Sequence, residues 1–218
     1  MGGAAFNKNC TRCPRLARFL KDVRRQYPDY YGYPVPAFGR KKEPILIVGL
    51  APGLHGANAT GRPFTGDHAG DVLYETLHRH GLASRPDSRH RRDGLTLNGC
   101  RITNAVKCLP PANKPVGAEI NECNPFLARD IQDMARPGVV LALGGIAHNA
   151  VLKALSLKLN AAKFGHGAVH SVATGLTLLD SYHCSRYNTN TRRLTQAMFD
   201  DVFIKLRKLA TLTQAETE

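Results

Sequence analysis

A chain of 218 residues is long enough for one large domain with a sizeable core, and 43% hydrophobic with 7% aromatic residues is ordinary for a folded protein. Thirty Lys and Arg against seventeen Asp and Glu give a net charge of +13, which suits a polyanionic partner because each cation set on a phosphate releases a counterion; solubility alone is the other reading. No apolar run approaches the ~20 residues of a membrane span, and MGGAAFNKNCTRC lacks the apolar region of a signal peptide.

The protein is therefore expected inside the cell, where its six Cys suit metal ligation better than disulfides. Residues 1–9 read as a disordered lead. Cys10-Thr-Arg-Cys13 is a Cys-x2-Cys pair, and Pro14 follows where a helix would open, with Leu16, Phe19, Leu20 and Val23 on one face. Gln26 to Lys42 is too broken by Pro and Gly for a regular element. Its Tyr30, Tyr31 and Tyr33 could stack on bases, but packing over the core is expected.

Ile45 to Leu50, between Pro44 and Pro52, reads as a buried strand. Ala51 to Gly70 then carries five Gly, two His, one Arg and one Asp, with little to enter a core. Asp71 to Leu82 fits an amphipathic helix. Strand, glycine-rich loop and helix is how an α/β sheet places a ligand at the carboxyl end of a strand. The glycines suit a backbone that approaches an anion or a flat ring; a mobile surface loop has the same composition.

Ala83 to Gly99 reads as an exposed basic loop, either solvated or set against phosphates. Cys100 to Val106 is a second strand, stopped at Lys107-Cys108-Leu-Pro-Pro. Gly117 to Ala135 reads as a helix, Val139 to Leu143 as a third strand, and Ile146 to Ser156 as a helix. Lys158 to Val172 is less regular. Leu176 to Leu179 is a strand leading into DSYHCS, and Thr191 to Leu212 is a closing basic helix with a frayed end. The alternation predicts one domain over 1–218, a three-layer α/β/α fold around a mostly parallel sheet.

Cys10, Cys13, Cys108 and Cys123 make a candidate four-thiolate site for zinc or a [4Fe-4S] cluster. The last two are separated by fourteen residues, Leu109 to Glu122, a spacing that favours neither. Six unligated thiols is the bland alternative. Cys100 and Cys184 are expected to be small buried residues.

Three polar residues fall at strand ends: Asp67 after the first strand, Asn104 in the second and His183 after the last. Singly, each has a structural reading: Asp67 as a helix cap, Asn104 as a strand-end partner, His183 as a packed histidine. Jointly they offer a carboxylate to orient water and steady a cationic sugar, an amide for a base edge, and a donor for a carbonyl gaining negative charge. With Phe64 to stack on a base, these are the parts needed to hydrolyse the N-glycosidic bond of a flipped-out nucleotide.

The blocks GLAPGLHGANATGRPFTGDHAG (Gly49 to Gly70), NAVKCLPP (Asn104 to Pro111) and SYHCSRYNTNT (Ser181 to Thr191) resemble the family 5, or B-type, uracil-DNA glycosylases. The resemblance implies a four-stranded parallel sheet flanked by helices, a [4Fe-4S] cluster on the four Cys, and removal of uracil and other deaminated bases from single- or double-stranded DNA. It also implies a cytoplasmic bacterial or archaeal enzyme, associated with the nucleoid through DNA and acting as a monomer. Related family 4 enzymes carry Glu where Leu50 stands, so the water-directing role moves to Asp67.

By the same resemblance Gly49, Leu50, Ala51, Pro52 and Gly53 line the substrate site, with His55 and Gly56 near the C5 edge of the base. Phe64 stacks, Asn104 bonds the base edge and His183 steadies the departing base anion. Ser185, Arg186, Tyr187 and Asn188 form part of the loop that enters the duplex. The short first motif has no bulky Tyr, which implies a wide pocket and relaxed base choice. One departure is Cys184 where the family carries Pro; a looser loop or an oxidisable thiol is expected. No Lys holds an evident nucleophile position, so no Schiff-base lyase step is expected. A non-catalytic Fe-S or zinc protein that binds nucleic acid on the same fold is the alternative. A nucleotide-binding enzyme ranks last, because the loop lacks the Lys-Ser/Thr of a P-loop.

Overall fold

Apolar runs without polar interruption make strands that need cover on both faces, and the sheet here is built from such runs. A computed structural model describes residues 3–215. In chain order the elements are α1 (Pro14–Gln26), β1 (Ile45–Gly49), α2 (Ala57–Thr60), α3 (His68–Arg79), β2 (Cys100–Asn104), α4 (Gly117–Gln132), β3 (Gly138–Leu143), α5 (Gly145–Ala154), β4 (Val169–Ala173), β5 (Leu176–Ser181), α6 (Arg186–Asn190) and α7 (Gln196–Ala215). The expected fraying at the very end of the chain falls on residues outside those described. No helix among the described residues is long and apolar enough to cross a membrane.

The strand order is β2-β1-β3-β5-β4, with β2, β1, β3 and β5 parallel and β4 antiparallel to β5 at the edge. The expected four parallel strands are therefore present, with a fifth added. That fifth strand lies in the stretch read as less regular, because its residues alternate between exposed and half-buried and leave no apolar run. Alternate residues of β1 face opposite layers. Ile45 and Ile47 join a core with α3 and α7, whereas Leu46 and Val48 join one with α4 and α5. A third, smaller core packs α1 against Cys108, Cys123 and Phe126.

Two loops are better ordered than composition suggests. The lead has no regular element, yet the Ala4 N–H donates to the Pro125 carbonyl at 2.9 Å. The basic loop after α3 buries Leu95 and Leu97 and bridges Ala83 to Leu97. It also has a polar centre: Arg62 donates to Asp93 Oδ1 at 2.9 Å and Oδ2 at 2.5 Å, and to Ser88 Oγ at 2.6 Å. The Arg62 and Asp93 side chains are only 3% and 5% exposed, so this pair is not a surface ion pair of little consequence.

Burial alone would raise the Asp93 pKa, but the hydrogen bonds from Arg62 and from the Leu95 and Arg89 N–H groups hold it well below the ordinary carboxylate value. The contribution is therefore complete above the unfolded value of about 3.9 and is lost as pH falls through the lower folded value. Asp93→Ala strands the buried guanidinium and is expected to cost about 3–5 kcal/mol in urea unfolding at neutral pH. The variant should also lose less stability than the parent between pH 4 and the acid limit, roughly by the share this carboxyl supplies.

Candidate active site

The carboxyl ends of the parallel strands open on one edge of the sheet, and the glycine-rich segment wraps across it. Parallel register sets Gly49 beside Asn104. The two chains stay paired beyond the strands, with Ala105 N–H donating to Gly49 and Val106 N–H to Leu50, both at 2.9 Å. A Cβ on Gly49 would lie 2.5 Å from Asn104 Oδ1 and 2.5 Å from Phe64 Cζ, so the aromatic ring and the amide meet over bare backbone. The Phe64 ring in turn lies near-parallel to the His183 imidazole, with centroids 5.9 Å apart and planes 28° from parallel.

Asp67 completes the group. It caps α3, its Oδ1 accepting from the Gly70 N–H at 3.0 Å, while Oδ2 lies over the glycine loop. A Cβ at Gly53 would sit 3.2 Å from Oδ2, and one at Gly56 would overlap the carboxylate. The structural reading of Asp67 as a cap and its reading as a site residue are thus both realised, by different oxygens. Leu50, Ala51 and Pro52 carry the chain from strand to loop and offer backbone rather than polar side chains; Ala51 packs toward the third core. His55 is exposed at the rim, its Nδ1 2.8 Å from the Tyr30 hydroxyl.

Phe64 itself has a left-handed backbone, φ +52°. That conformation costs an aromatic residue about 1–3 kcal/mol and persists only where neighbours enforce it. Tyr74 donates to the Pro63 carbonyl at 2.9 Å, Thr60 Oγ1 donates to the Thr65 carbonyl at 3.2 Å, and the Thr65 and Ser88 hydroxyls are 2.6 Å apart. With Arg62, these bonds clamp both sides of Phe64. The sequence gives no sign of this: the clamp joins α3, the basic loop and the glycine segment.

Burial pushes the His183 imidazole down to about 4, so it is neutral at pH 7. Its carbonyl accepts from Asn188 Nδ2 at 2.8 Å, and the Ser185 hydroxyl accepts from the Asn188 N–H at 3.4 Å to cap α6. The loop expected to be loosened by Cys184 is therefore folded. Nor is the thiol available: Cys184 is fully buried, with its Sγ 3.4 Å from the Ala69 carbonyl. Burial first, and then the Asp67 charge, push that thiol up to about 12. Arg186 and Tyr187 remain exposed on α6, Tyr187 at 72%.

Cys10, Cys13, Cys108 and Cys123 line one cavity between α1, the segment after β2 and α4. Burial and then neighbouring thiols raise the Cys13 pKa to about 11, and the same causes raise Cys108. Cys123 accepts from the Lys107 N–H at 3.2 Å. Among the described residues the trio of metal-ligand atoms found within 4.8 Å of one another is His148, His170 and Asp180, so no three of the four sulfurs are that close. A tetrahedral zinc would hold its thiolates about 3.8 Å apart; a cluster, with several atoms between any two sulfurs, spaces them more widely.

Two buried polar groups escaped sequence reading because their members are scattered along the chain. His148 sets Nδ1 2.8 Å from Oδ1 of Asp180, in the strand that leads to His183, and Nε2 3.0 Å from the Ala162 carbonyl. Lys107 Nζ is held 2.6 Å from Asp130 and also contacts Thr103.

The family model described as the uracil DNA glycosylase superfamily matches residues 36–207. The chain is 44% identical to a type-5 uracil-DNA glycosylase of Mycobacterium leprae, over 92% of this chain and 91% of the relative. It is 43% identical to that of Thermus thermophilus, over 93% and 94% respectively. With that of Pyrobaculum aerophilum it shares 43% identity, over 86% and 83%.

The depressed His183 pKa has a direct check. Histidine NMR on the folded protein should show its ring neutral down to about pH 4, whereas an ordinary histidine titrates near 6.5. Because the folded value is the lower one, this residue adds stability above the unfolded value that fades as pH falls from 6.5 toward 4. A midpoint near 6.5 would show that the ring stays solvated.

Proposed function

Because the chain belongs to the uracil-DNA glycosylase superfamily, and within it to the type-5 enzymes, we propose that it is a DNA-repair glycosylase: it hydrolyses the N-glycosidic bond of uracil in DNA and leaves an abasic site. The observation that carries this reading is that Phe64 meets Asn104 and His183 at one edge of the sheet while the Asp67 carboxylate lies over Gly53 and Gly56 of the same loop. An extruded uracil would stack on Phe64, and the Asn104 amide would donate to and accept from its edge.

Breaking the bond sends electrons into the base and leaves positive charge on the sugar. The neutral His183 ring has an N–H to give to the carbonyl oxygen that gains charge, and it carries no cation to oppose the one forming on the sugar. The Asp67 carboxylate steadies that cation and orients the water that adds to C1′, and the backbone at Gly53 and Gly56 gives it room. Leu50 brings no competing carboxylate. The short first motif carries no bulky Tyr, which suits bases larger than uracil, so hypoxanthine and xanthine belong to the expected range. Lys107 is engaged by Asp130, which suits a monofunctional enzyme with no amine nucleophile.

For the four thiols we assign a [4Fe-4S] cluster. Their shared cavity and wide spacing support it, and buried thiols that raise one another's pKa values are best relieved by a multivalent cationic centre. When bound, the cluster supplies a covalent link from Cys10 and Cys13 to Cys108 and Cys123.

Asp67→Ala is expected to lower single-turnover excision by about 10²–10³-fold while binding uracil-containing DNA within a few-fold of the parent. Full activity in that variant would remove Asp67 from the reaction. Metal analysis of the purified chain should give iron and sulfide, both lost in Cys13→Ser together with thermal stability; zinc in their place would overturn the cluster assignment.

A further inference from the structure

Gln26 to Lys42, which has no regular element, is nonetheless held firmly against the glycine segment. The Tyr31 and Gly32 N–H groups donate to the Ala59 and Asn58 carbonyls at 2.9 and 3.0 Å, and the Tyr31 ring covers Gly61 so closely that a Cβ there would lie 2.8 Å from it. Tyr30, Tyr31 and Tyr33 are half-buried, which fits packing over the core and still leaves part of each ring exposed; Tyr27 is half-buried too and lies against the third core, whereas Tyr74 is fully buried.

Their arrangement is specific. Tyr27 and Tyr30 stack with centroids 4.7 Å apart, and both stand edge-on to the His55 ring, 5.7 and 6.0 Å away. Tyr31 and Tyr33 meet edge to face. Cations lie over the second pair: Arg91 5.5 Å from the Tyr31 centroid, Lys8 and Arg24 4.4 and 4.5 Å from that of Tyr33. Asp29 is the one acid in the segment. The shelf is also continuous with the site, because Tyr30 bonds His55, and the next residue, Gly56, lies under the Asp67 carboxylate.

We propose that this tyrosine–cation shelf binds the unpaired DNA strand next to the extruded nucleotide, taking a base face on the Tyr27–Tyr30 stack and phosphates on the cations over Tyr31 and Tyr33. The proposal rests on the glycosylase reading only for where the extruded nucleotide lies. Charge complementarity selects a polyanion, and half-exposed stacked rings select one with flat faces; a single strand has both at every residue. Arg91 comes from the basic loop pinned by Arg62 and Asp93, so that buried pair fixes a cation on the shelf.

The test is equilibrium binding of a fluorescent single-stranded oligonucleotide that contains no uracil, measured across a salt series with the full chain. Tyr30→Ala should weaken binding about 5- to 100-fold, the loss expected for one base stack, whereas Tyr30→Phe, which keeps the ring, should stay within about threefold. Arg91→Ala leaves the buried core untouched and should reduce the slope of log K against log salt by about one; this arm decides the question if Tyr30→Ala fails to fold. Unchanged affinity in folded Tyr30→Ala, an unchanged slope in Arg91→Ala, or equal competition by polyglutamate would each overturn the proposal. Binding that follows these expectations in a chain releasing no base would leave the shelf standing and remove the glycosylase reading instead.

Discussion

The site depends on one strained residue. Phe64 stands in the left-handed region with its ring laid over Gly49, and nothing in its own chemistry favours that state. It is imposed from both sides, by Tyr74 on the Pro63 carbonyl and by the Thr65–Ser88 and Arg62–Asp93 contacts. The basic loop is thus part of the wall of the site. The buried ion pair that pins the loop also holds the aromatic face against which a base would lie. A Cβ at Gly49 would push against both that face and the Asn104 amide.

The electrostatics follow from the same packing. His183 is kept neutral by burial between the sheet end and the Phe64 ring, so it donates a hydrogen bond without bringing a charge. Asp67 serves the fold with one oxygen and faces the glycine loop with the other. One carboxylate and one neutral donor near a stacking face are matched to a reaction whose leaving group gains negative charge while the sugar gains positive charge. His148 ties down Asp180 near the end of β5, three residues before His183.

Much of this was legible in the chain. Ile45 to Gly49 and Gly138 to Leu143 are apolar throughout and read directly as buried strands, and Asp67 is the only acid in the glycine segment. The edge strand Val169–Ala173 was not legible, since an edge exposes one face and leaves no apolar run. Arg62 and Asp93 looked like two charges in two loops; their pairing across 31 positions exists only once the sheet brings those loops together. Cys184 misled in a simple way. A missing Pro suggested looseness, but the Asn188 amide closes the loop from within. The tyrosines of the segment after α1 were visible as aromatics, yet only the structure sets their half-buried rings beside His55 and Arg91.

Glycosylase chemistry is tested most directly by single-turnover reaction of the intact protein with a duplex carrying one uracil, followed by alkali and by assay of released free base. Strand breakage is expected only after alkali, with one free uracil for each abasic site. No abasic site from protein with its metal intact would contradict the glycosylase reading, because Asp67, Asn104, Phe64 and His183 would then meet without performing the chemistry their arrangement implies.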